Sequence, residues 1–200
     1  SFMRLGRSCY RSPWLLPVPL RLSRALSTCA SFSYRSKAEY PVGHNLGQLN
    51  IARLKYPKDD ERVGDFFAAL DKVNAVADKS NGFVWRLKDG GGDATSFQIE
   101  AEDPSALSTL SVWENPESLI RYTFKSVHKL YFKRRSEWFK PSQVDFVMWW
   151  IPEGEIPTLA EAKERLHLLR EHGPSEKAFG WGSLPGELRE EVSLSRQNHA

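Results

Sequence analysis

Cysteine is scarce in this sequence and is confined to its first 29 residues. The two cysteines are Cys9 and Cys29. Beyond residue 29 the chain therefore has no side chain that could form a disulfide, act as a thiolate nucleophile, or bind zinc or an iron-sulfur cluster through sulfur. Any chemistry there must use His, carboxylate, Arg, Tyr or Trp side chains, or a bound cofactor.

Acidic residues are absent from the first 37 residues, which carry seven basic ones. This segment is rich in Arg, Ser and Leu, a composition typical of an organelle transit peptide. We interpret residues 1–37 as a leader that directs the protein to the mitochondrial matrix, with a plastid or another compartment as the alternative. The remaining residues include 21 basic and 25 acidic ones, a net charge of −4. This balance does not favour nucleic acid as a partner.

Long apolar runs and known catalytic signatures are missing as well. The most apolar stretch of the leader, residues 14–20, is short and is interrupted by Pro17 and Pro19. A membrane-spanning helix needs about 20 apolar residues, so we predict no membrane span. Neither an H-x-x-x-H nor a G-x-S-x-G pattern occurs, and the sequence therefore predicts no dedicated metal site.

The spacing of apolar residues predicts the element order β-α-β-β-α-β-α over residues 44–180. Strands are predicted at residues 46–55, 83–89, 106–114 and 144–152, with an irregular or edge strand at 95–103. Asn115 and Pro116 are suited to start a helix, which the pattern continues to Phe139. Thr158 and Glu161 form a capping-box pattern for the last helix. Residues 187–200 are polar and are predicted to form a loose tail.

The order β-α-β-β-α-β is that of a ferredoxin-like α+β fold, in which both helices lie on one face of a four-stranded antiparallel sheet. The last helix is an addition to that unit. The second face needs a cover, because the strands carry four tryptophans (Trp85, Trp113, Trp149 and Trp150). Burying each ring stabilises a fold by about 2–3 kcal/mol. We expect a homodimer in which two sheets pack face to face and enclose a cavity.

Five stretches of the chain together resemble an uncharacterised bacterial family of the dimeric α/β-barrel superfamily. They are QLNIARLK, GFVWRL, LSVWENPESL, HKLYFKRRSEWF and WWIPEGEIPTLAEAKERLHLLREHGP, which lie in order between residues 46 and 180. That superfamily includes antibiotic-biosynthesis monooxygenases and heme-handling proteins. The resemblance implies a dimeric α/β barrel but no particular reaction, because one fold hosts many chemistries.

A polar flank beside the apolar face of the helix after Asn115 is the first candidate site. Arg121, His128 and Arg135 are spaced by seven residues and fall on this flank. In one interpretation His128 transfers a proton at a pocket mouth and Arg135 holds an anionic or enolate-like oxygen. In the other, a backbone carbonyl satisfies His128 and Arg135 pairs with a carboxylate such as Glu114.

The strands supply the second group of candidates. Asn50 lines the cavity if it shares a sheet face with Gln48 and Ala52, and it is otherwise an outward-facing polar residue. Arg86 must point away from the face that carries Trp85. The tryptophans form either an aromatic ligand cage or a dimer core. The expected substrate-binding residues are Asn50, Trp85, Arg86, Trp113, Phe124, Tyr131 and Trp149.

Two functional hypotheses follow. In the first, the protein is a small cofactor-independent enzyme, monooxygenase-like or isomerase- or cyclase-like, that acts on a hydrophobic or aromatic molecule in the cavity. In the second, it is a non-catalytic dimer that binds a hydrophobic ligand or heme, or has an accessory role. A heme with one axial His is compatible with the sequence.

Overall fold

One four-stranded antiparallel sheet organises the chain. The computed structural model describes residues 32–88, 103–141 and 145–197. The strands are β1 (His44–Arg53), β2 (Phe83–Arg86), β3 (Ala106–Trp113) and β4 (Phe146–Pro152), in the order β2-β3-β1-β4. β1 and β3 therefore occupy the centre. This antiparallel order is compatible with the predicted ferredoxin-like fold. Most of the leader, and residues 95–102 of the predicted edge strand, lie outside the described residues.

Five α-helices accompany the sheet in the described ranges, so the predicted α+β class is confirmed. They are α1 (Gly64–Asp78), α2 (Pro116–Lys125), α3 (His128–Trp138), α4 (Leu159–His172) and α5 (Gly186–Gln197). Within the described residues, none of the helices is long and apolar enough to cross a membrane.

The prediction of one continuous helix from Pro116 to Phe139 is wrong, because the helix breaks between α2 and α3. Ser126 has an extended backbone, with φ −102° and ψ −173°. Its hydroxyl donates to the carbonyl of Tyr122 (2.6 Å) and accepts from the backbone N–H of His128 (3.1 Å). These local bonds compete with helical bonds and satisfy the backbone groups that the break exposes.

The first face of the sheet, which we call the α4 face, is covered by α4 within the chain. Trp149 and Val147 of β4, Leu49 of β1 and Leu110 of β3 form one hydrophobic cluster with Leu166 of α4 and its neighbours. Gly47 permits this packing, since a Cβ there would lie 2.5 Å from Cδ1 of Ile151. The expectation that a second copy of the chain covers this face is therefore incorrect. The homodimer itself is still a prediction.

The opposite face, which we call the α1–α3 face, carries two separate hydrophobic clusters. The first joins Leu46, Trp113 and Met148 to α2 and to the segment that ends in α5. The second joins Leu107 of β3 and Leu54 to α1 and to Trp138 of α3. These clusters hold the helices at opposite ends of β1 and β3.

Both predicted domain limits are too narrow. Before β1, Tyr34 is buried in the first cluster of the α1–α3 face, and its hydroxyl accepts a hydrogen bond from Nε1 of Trp150 (2.7 Å). After residue 186, α5 replaces the predicted loose tail, because Leu188 and Val192 bury one side of it in the same cluster. The polar composition of this segment reflects the opposite side of the helix.

Candidate functional site

An opening lies in the middle of the α1–α3 face, between its two hydrophobic clusters. Thr109 is exposed although it lies in the middle of the central strand β3. Its antiparallel partner on β1 is Asn50, which is half-buried, as is Ser111 two residues further along β3. Side chains two residues apart point to the same face. Asn50, Thr109 and Ser111 therefore form the floor of this opening, which we call the cleft.

The side of α1 that turns to the sheet is correspondingly only half-covered. Its larger apolar side chains include Phe67, Leu70 and Val73, and all three are half-buried. The small side chain of Ala69 is buried between them, and Val63 and Ala77 are buried near the two ends, where the two clusters lie. We infer that the middle of α1 forms an apolar wall of the cleft.

Ser111 is the centre of the polar floor. Its Oγ accepts a hydrogen bond from Nε2 of Gln48 and another from Nε1 of Trp113, each of 2.9 Å. Gln48 lies opposite Ser111 in the register of β1 and β3 and is buried. The Trp113 indole is buried as well. These two donors fix the Ser111 side chain in place.

Tyr122 and Arg86 flank Ser111. The Tyr122 ring stacks on Trp113, with centroids 5.0 Å apart. Arg86 pairs with Ser111 across β2 and β3, and its Nε donates to Oδ1 of Asp78 at the end of α1 (2.8 Å). Burial raises the pKa of the Tyr122 phenol, an effect that the nearby Arg86 charge partly offsets. Tyr122 therefore stays protonated at neutral pH.

His128 lies at the gap between the two clusters. Its ring centroid is 4.9 Å from that of Tyr122, which belongs to one cluster, while Tyr131, three residues further along α3, packs in the other. Its Nδ1 lies 3.1 Å from the carbonyl oxygen of Thr123. A carbonyl can only accept, so Nδ1 carries the proton and Nε2 has an available lone pair. Nε2 has no hydrogen-bond partner in the part of the chain that the structure describes.

Burial lowers the pKa of His128, although the bond to Thr123 partly counteracts this effect. The side chain is therefore neutral at physiological pH. The bond to the Thr123 carbonyl agrees with the interpretation of the sequence in which a backbone carbonyl satisfies His128. The same bond also leaves Nε2 in the form that a general base requires.

The helix break divides the predicted flank of Arg121, His128 and Arg135. The break before α3 separates Arg121, which is exposed on α2, from His128. The Arg135 guanidinium lies 4.4 Å from the centre of the Phe132 ring and donates to the Phe132 carbonyl (2.8 Å). It makes no ion pair with Glu114, both residues being described. Arg135 therefore packs on Phe132, whose ring centroid lies 6.3 Å from that of His128.

The predicted tryptophan wall is divided between the two faces of the sheet. Trp85 and Trp149 pack on the α4 face, and Nε1 of Trp149 donates to Oε1 of Glu161 (3.0 Å). Trp113 lies on the α1–α3 face beneath Tyr122. The three rings therefore cannot form one cage, because successive side chains of a strand alternate between faces and a bulge in β2 sets Trp85 opposite Val112.

The other predicted substrate-binding residues are also distributed. Phe124 is fully buried against Phe132 and Trp181. Tyr131 packs beside Trp138 at one end of the cleft. Asn50 and Arg86 share the α1–α3 face, as do Gln48 and Ala52. Of the predicted set, Asn50, Arg86, His128 and Tyr131 surround the opening.

Sequence reasoning did not identify Thr109, Ser111 or Tyr122. The signal for the first two is a pair of polar residues spaced by two, in a strand whose other residues apart from Ser108 are apolar. Tyr122 carries no such signal, because its position depends on how α2 packs. No group of three or more His, Cys, Asp or Glu suited to a metal ion occurs within residues 32–88, 103–141 and 145–197.

Comparison with known proteins matches the chain to one family. The model of the family described as "Domain of unknown function (DUF3291)" matches residues 45–193. No curated protein and no solved structure matches the chain. The family match covers the sheet except His44, α1 to α4 and most of α5, and it includes every residue of the cleft.

Proposed function

We propose a function for a chain that belongs to the family described as "Domain of unknown function (DUF3291)": it binds a small aromatic or otherwise apolar molecule in the cleft and moves a proton on it. The observation that carries this proposal is the opening itself. A central strand that exposes Thr109 leaves polar groups uncovered between helices whose facing side chains are apolar. Concave apolar sites with few polar groups are typical of small-molecule binding.

His128 supplies the base. The neutral imidazole with its proton on Nδ1 can remove a proton from a carbon next to a carbonyl through Nε2. The electron pair of the broken C–H bond then moves onto the carbonyl oxygen, which gives an enolate. In a β,γ-unsaturated ketone the charge extends over a dienolate. Return of the proton from Nε2 to the γ-carbon then moves the double bond into conjugation, and no further reactant is needed.

The proposal is testable without a known substrate, through hydrogen exchange at a ketone. Incubation of 1-acetylnaphthalene with the protein in D₂O should introduce deuterium into the methyl group, as measured by mass spectrometry. His128→Asn keeps an amide N–H near the position of Nδ1 but has no counterpart of Nε2. We expect this variant to lose exchange by about 100-fold, within the usual contribution of a general base.

The control for that experiment is Lys133→Gln, which changes an exposed residue of the same helix. Exchange at the wild-type rate in His128→Asn would overturn the assignment of the base. Oxygen uptake in the same incubation distinguishes a monooxygenase-like reaction, which consumes O₂, from an isomerisation, which does not.

A second use of the same histidine is heme ligation. A ring held through Nδ1 by a backbone carbonyl, with Nε2 available, is also the arrangement of many metal-bound histidines. Titration of the protein with hemin tests this alternative. A Soret shift in wild type that is lost in His128→Asn favours heme binding, and an unchanged spectrum removes it.

We also propose that the chain belongs to the dimeric α/β-barrel superfamily, as its sequence resemblance implies. The antiparallel order β2-β3-β1-β4 supports this proposal. Since α4 already covers one face of the sheet, a dimer would have to use another surface. Sedimentation velocity at micromolar concentration tests it, and a monomer would contradict the dimeric assembly.

A further inference from the structure

The hydroxyl of Ser111 has a fixed hydrogen-bonding role. A serine oxygen has two lone pairs and one proton. Both lone pairs are used, one by Nε2 of Gln48 and one by Nε1 of Trp113. An indole N–H can only donate, so Trp113 permits no reversal of its bond. The Ser111 proton must therefore be donated to a third group.

The direction of that proton follows from the surroundings. Gln48 and Trp113 occupy the buried side of Ser111, while the Ser111 side chain itself is half-buried at the edge of the cleft. Among the described residues no acceptor receives this proton. The proton is therefore directed into the cleft, where a solvent molecule or a ligand can accept it.

Two further polar groups lie near Ser111 on this face of the sheet. Arg86 lies beside Ser111 on the same face, with its side chain only 12% exposed and its Nε on Asp78. The Tyr122 phenol, which stays protonated, is close enough to Arg86 for the guanidinium to influence its pKa. A hydroxyl donor, a guanidinium and a phenol thus lie around one end of the floor.

We propose that Ser111 is the oxygen-recognition residue of the cleft and that the ligand is a carbonyl compound, whose oxygen accepts the Ser111 proton. Gln48 and Trp113 are positioning residues, because they orient the hydroxyl without contacting the ligand. This inference rests on the proposed function, since it assumes that the cleft binds a ligand. It adds a selection rule: an oxygen acceptor is preferred at this position over an apolar group of the same shape.

Two probes of nearly equal shape test the rule. In 1-acetylnaphthalene the substituent carries a carbonyl oxygen, and in 1-isopropylnaphthalene a methyl group takes its place. Titration calorimetry should show that wild type binds the ketone about five- to tenfold more tightly, the size expected for one partly buried hydrogen bond. In Ser111→Ala the two probes should bind with equal affinity.

Three further variants separate recognition from folding. Ser111→Thr keeps the hydroxyl and should keep the preference. In Gln48→Glu the carboxylate can only accept, so it should capture the Ser111 proton and abolish the preference while Ser111 remains. Ser108→Ala is the matched control, because Ser108 lies in the same strand but is buried on the α4 face.

The outcomes distinguish the two proposals. Equal binding of both probes by wild type would overturn the role of Ser111 and leave the cleft as a binding site. A preference that survives in Ser111→Ala with a native melting temperature would also overturn it. Failure of both probes to bind wild type would overturn the proposed function itself, and the inference with it.

Discussion

The two faces of the sheet differ in how their polar groups are used. On the α4 face, the buried carboxylate of Asp145 is bonded by both Arg53 and Arg170, and Nε1 of Trp149 donates to Glu161. On the α1–α3 face, the Ser111 hydroxyl and Nε2 of His128 retain capacity for another partner. Ser108 Oγ on the α4 face also has no partner, but Ser108 is buried, whereas Ser111 and His128 are half-buried and would be accessible to the proposed ligand.

The two faces also differ in the continuity of their hydrophobic packing. One continuous cluster fills the space between the sheet and α4, whereas two clusters on the opposite side leave the centre of β3 exposed. A gap of this kind forfeits hydrophobic stabilisation. The two faces therefore differ at the centre of the sheet, which is packed on the α4 side and open on the other.

The sharpest test of this comparison uses two adjacent residues that point to opposite faces. Leu110 is 2% exposed on the α4 face, and Thr109 is exposed in the cleft. Leu110→Ala should lower the free energy of unfolding by about 2–5 kcal/mol, because it leaves a cavity in a filled cluster. Thr109→Ala should change it by less than about 0.5 kcal/mol.

Urea denaturation of both variants gives these values. Equal losses of stability would mean that the two faces are packed alike, and the distinction between them would be incorrect. The ketone probe should continue to bind Leu110→Ala below its unfolding midpoint, which separates stability from recognition.

A smaller loss of folding stability is expected when the Thr158 cap at the start of α4 is removed. Oγ1 of Thr158 accepts from the backbone N–H of Glu161 (3.1 Å), as the capping pattern predicted, but the Glu161 carboxylate bonds Trp149 and Arg165. Thr158→Ala should cost about 1 kcal/mol in urea denaturation. Probe affinity should be unchanged, and a weaker affinity would show that α4 also supports the cleft.

The smallest expected effect is the contribution of His128 to the pH dependence of the free energy of unfolding. The folded-state pKa of His128 lies below its ordinary value of 6.5 because burial disfavours the imidazolium. Below pH 6.5 the unfolded state therefore binds a proton that the folded state does not, and the free energy of unfolding falls as the pH falls. The Tyr122 phenol, which contacts the ring, stays neutral in this range because its pKa is raised.

We expect the free energy of unfolding to fall less with falling pH in His128→Asn than in wild type. Urea midpoints measured between about pH 5 and 8 test this expectation. Thr123→Ala serves as a control, because the bond of His128 to the residue 123 carbonyl does not need the threonine side chain. Parallel pH curves for wild type and His128→Asn would show that the histidine titrates as it does in the unfolded chain.

Local patterns predicted the sheet well. The alternation in residues 46–55 predicted a strand, and the structure has Gln48, Asn50 and Ala52 on one face of it, since strand periodicity is a property of the backbone. The opposite orientations of Trp85 and Arg86 followed from the same rule. The sequence could not show that α4 packs on the α4 face, because the position at which a helix packs depends on contacts between residues distant in sequence.

The candidate site was only partly predictable for the same reason. His128 was identified from its position beside the apolar helix face, but the break at Ser126 separated it from Arg121, and Arg135 packs on Phe132. A helical wheel assumes a continuous helix, and the Ser126 hydroxyl bonds that stabilise the break have no periodic signal. Thr109 and Ser111 were visible as polar residues of β3, yet their exposure results from the separation of two packed clusters.

The most direct test of the central claim is to fill the cleft and measure binding. Thr109→Trp places a large ring on the exposed floor, and calorimetry then measures the affinity for 1-acetylnaphthalene. If the cleft is the ligand site, affinity should fall by at least about tenfold, equivalent to 1.4 kcal/mol, while the urea midpoint stays close to that of wild type. Wild-type affinity in a folded Thr109→Trp variant would contradict the claim that the α1–α3 face holds the site.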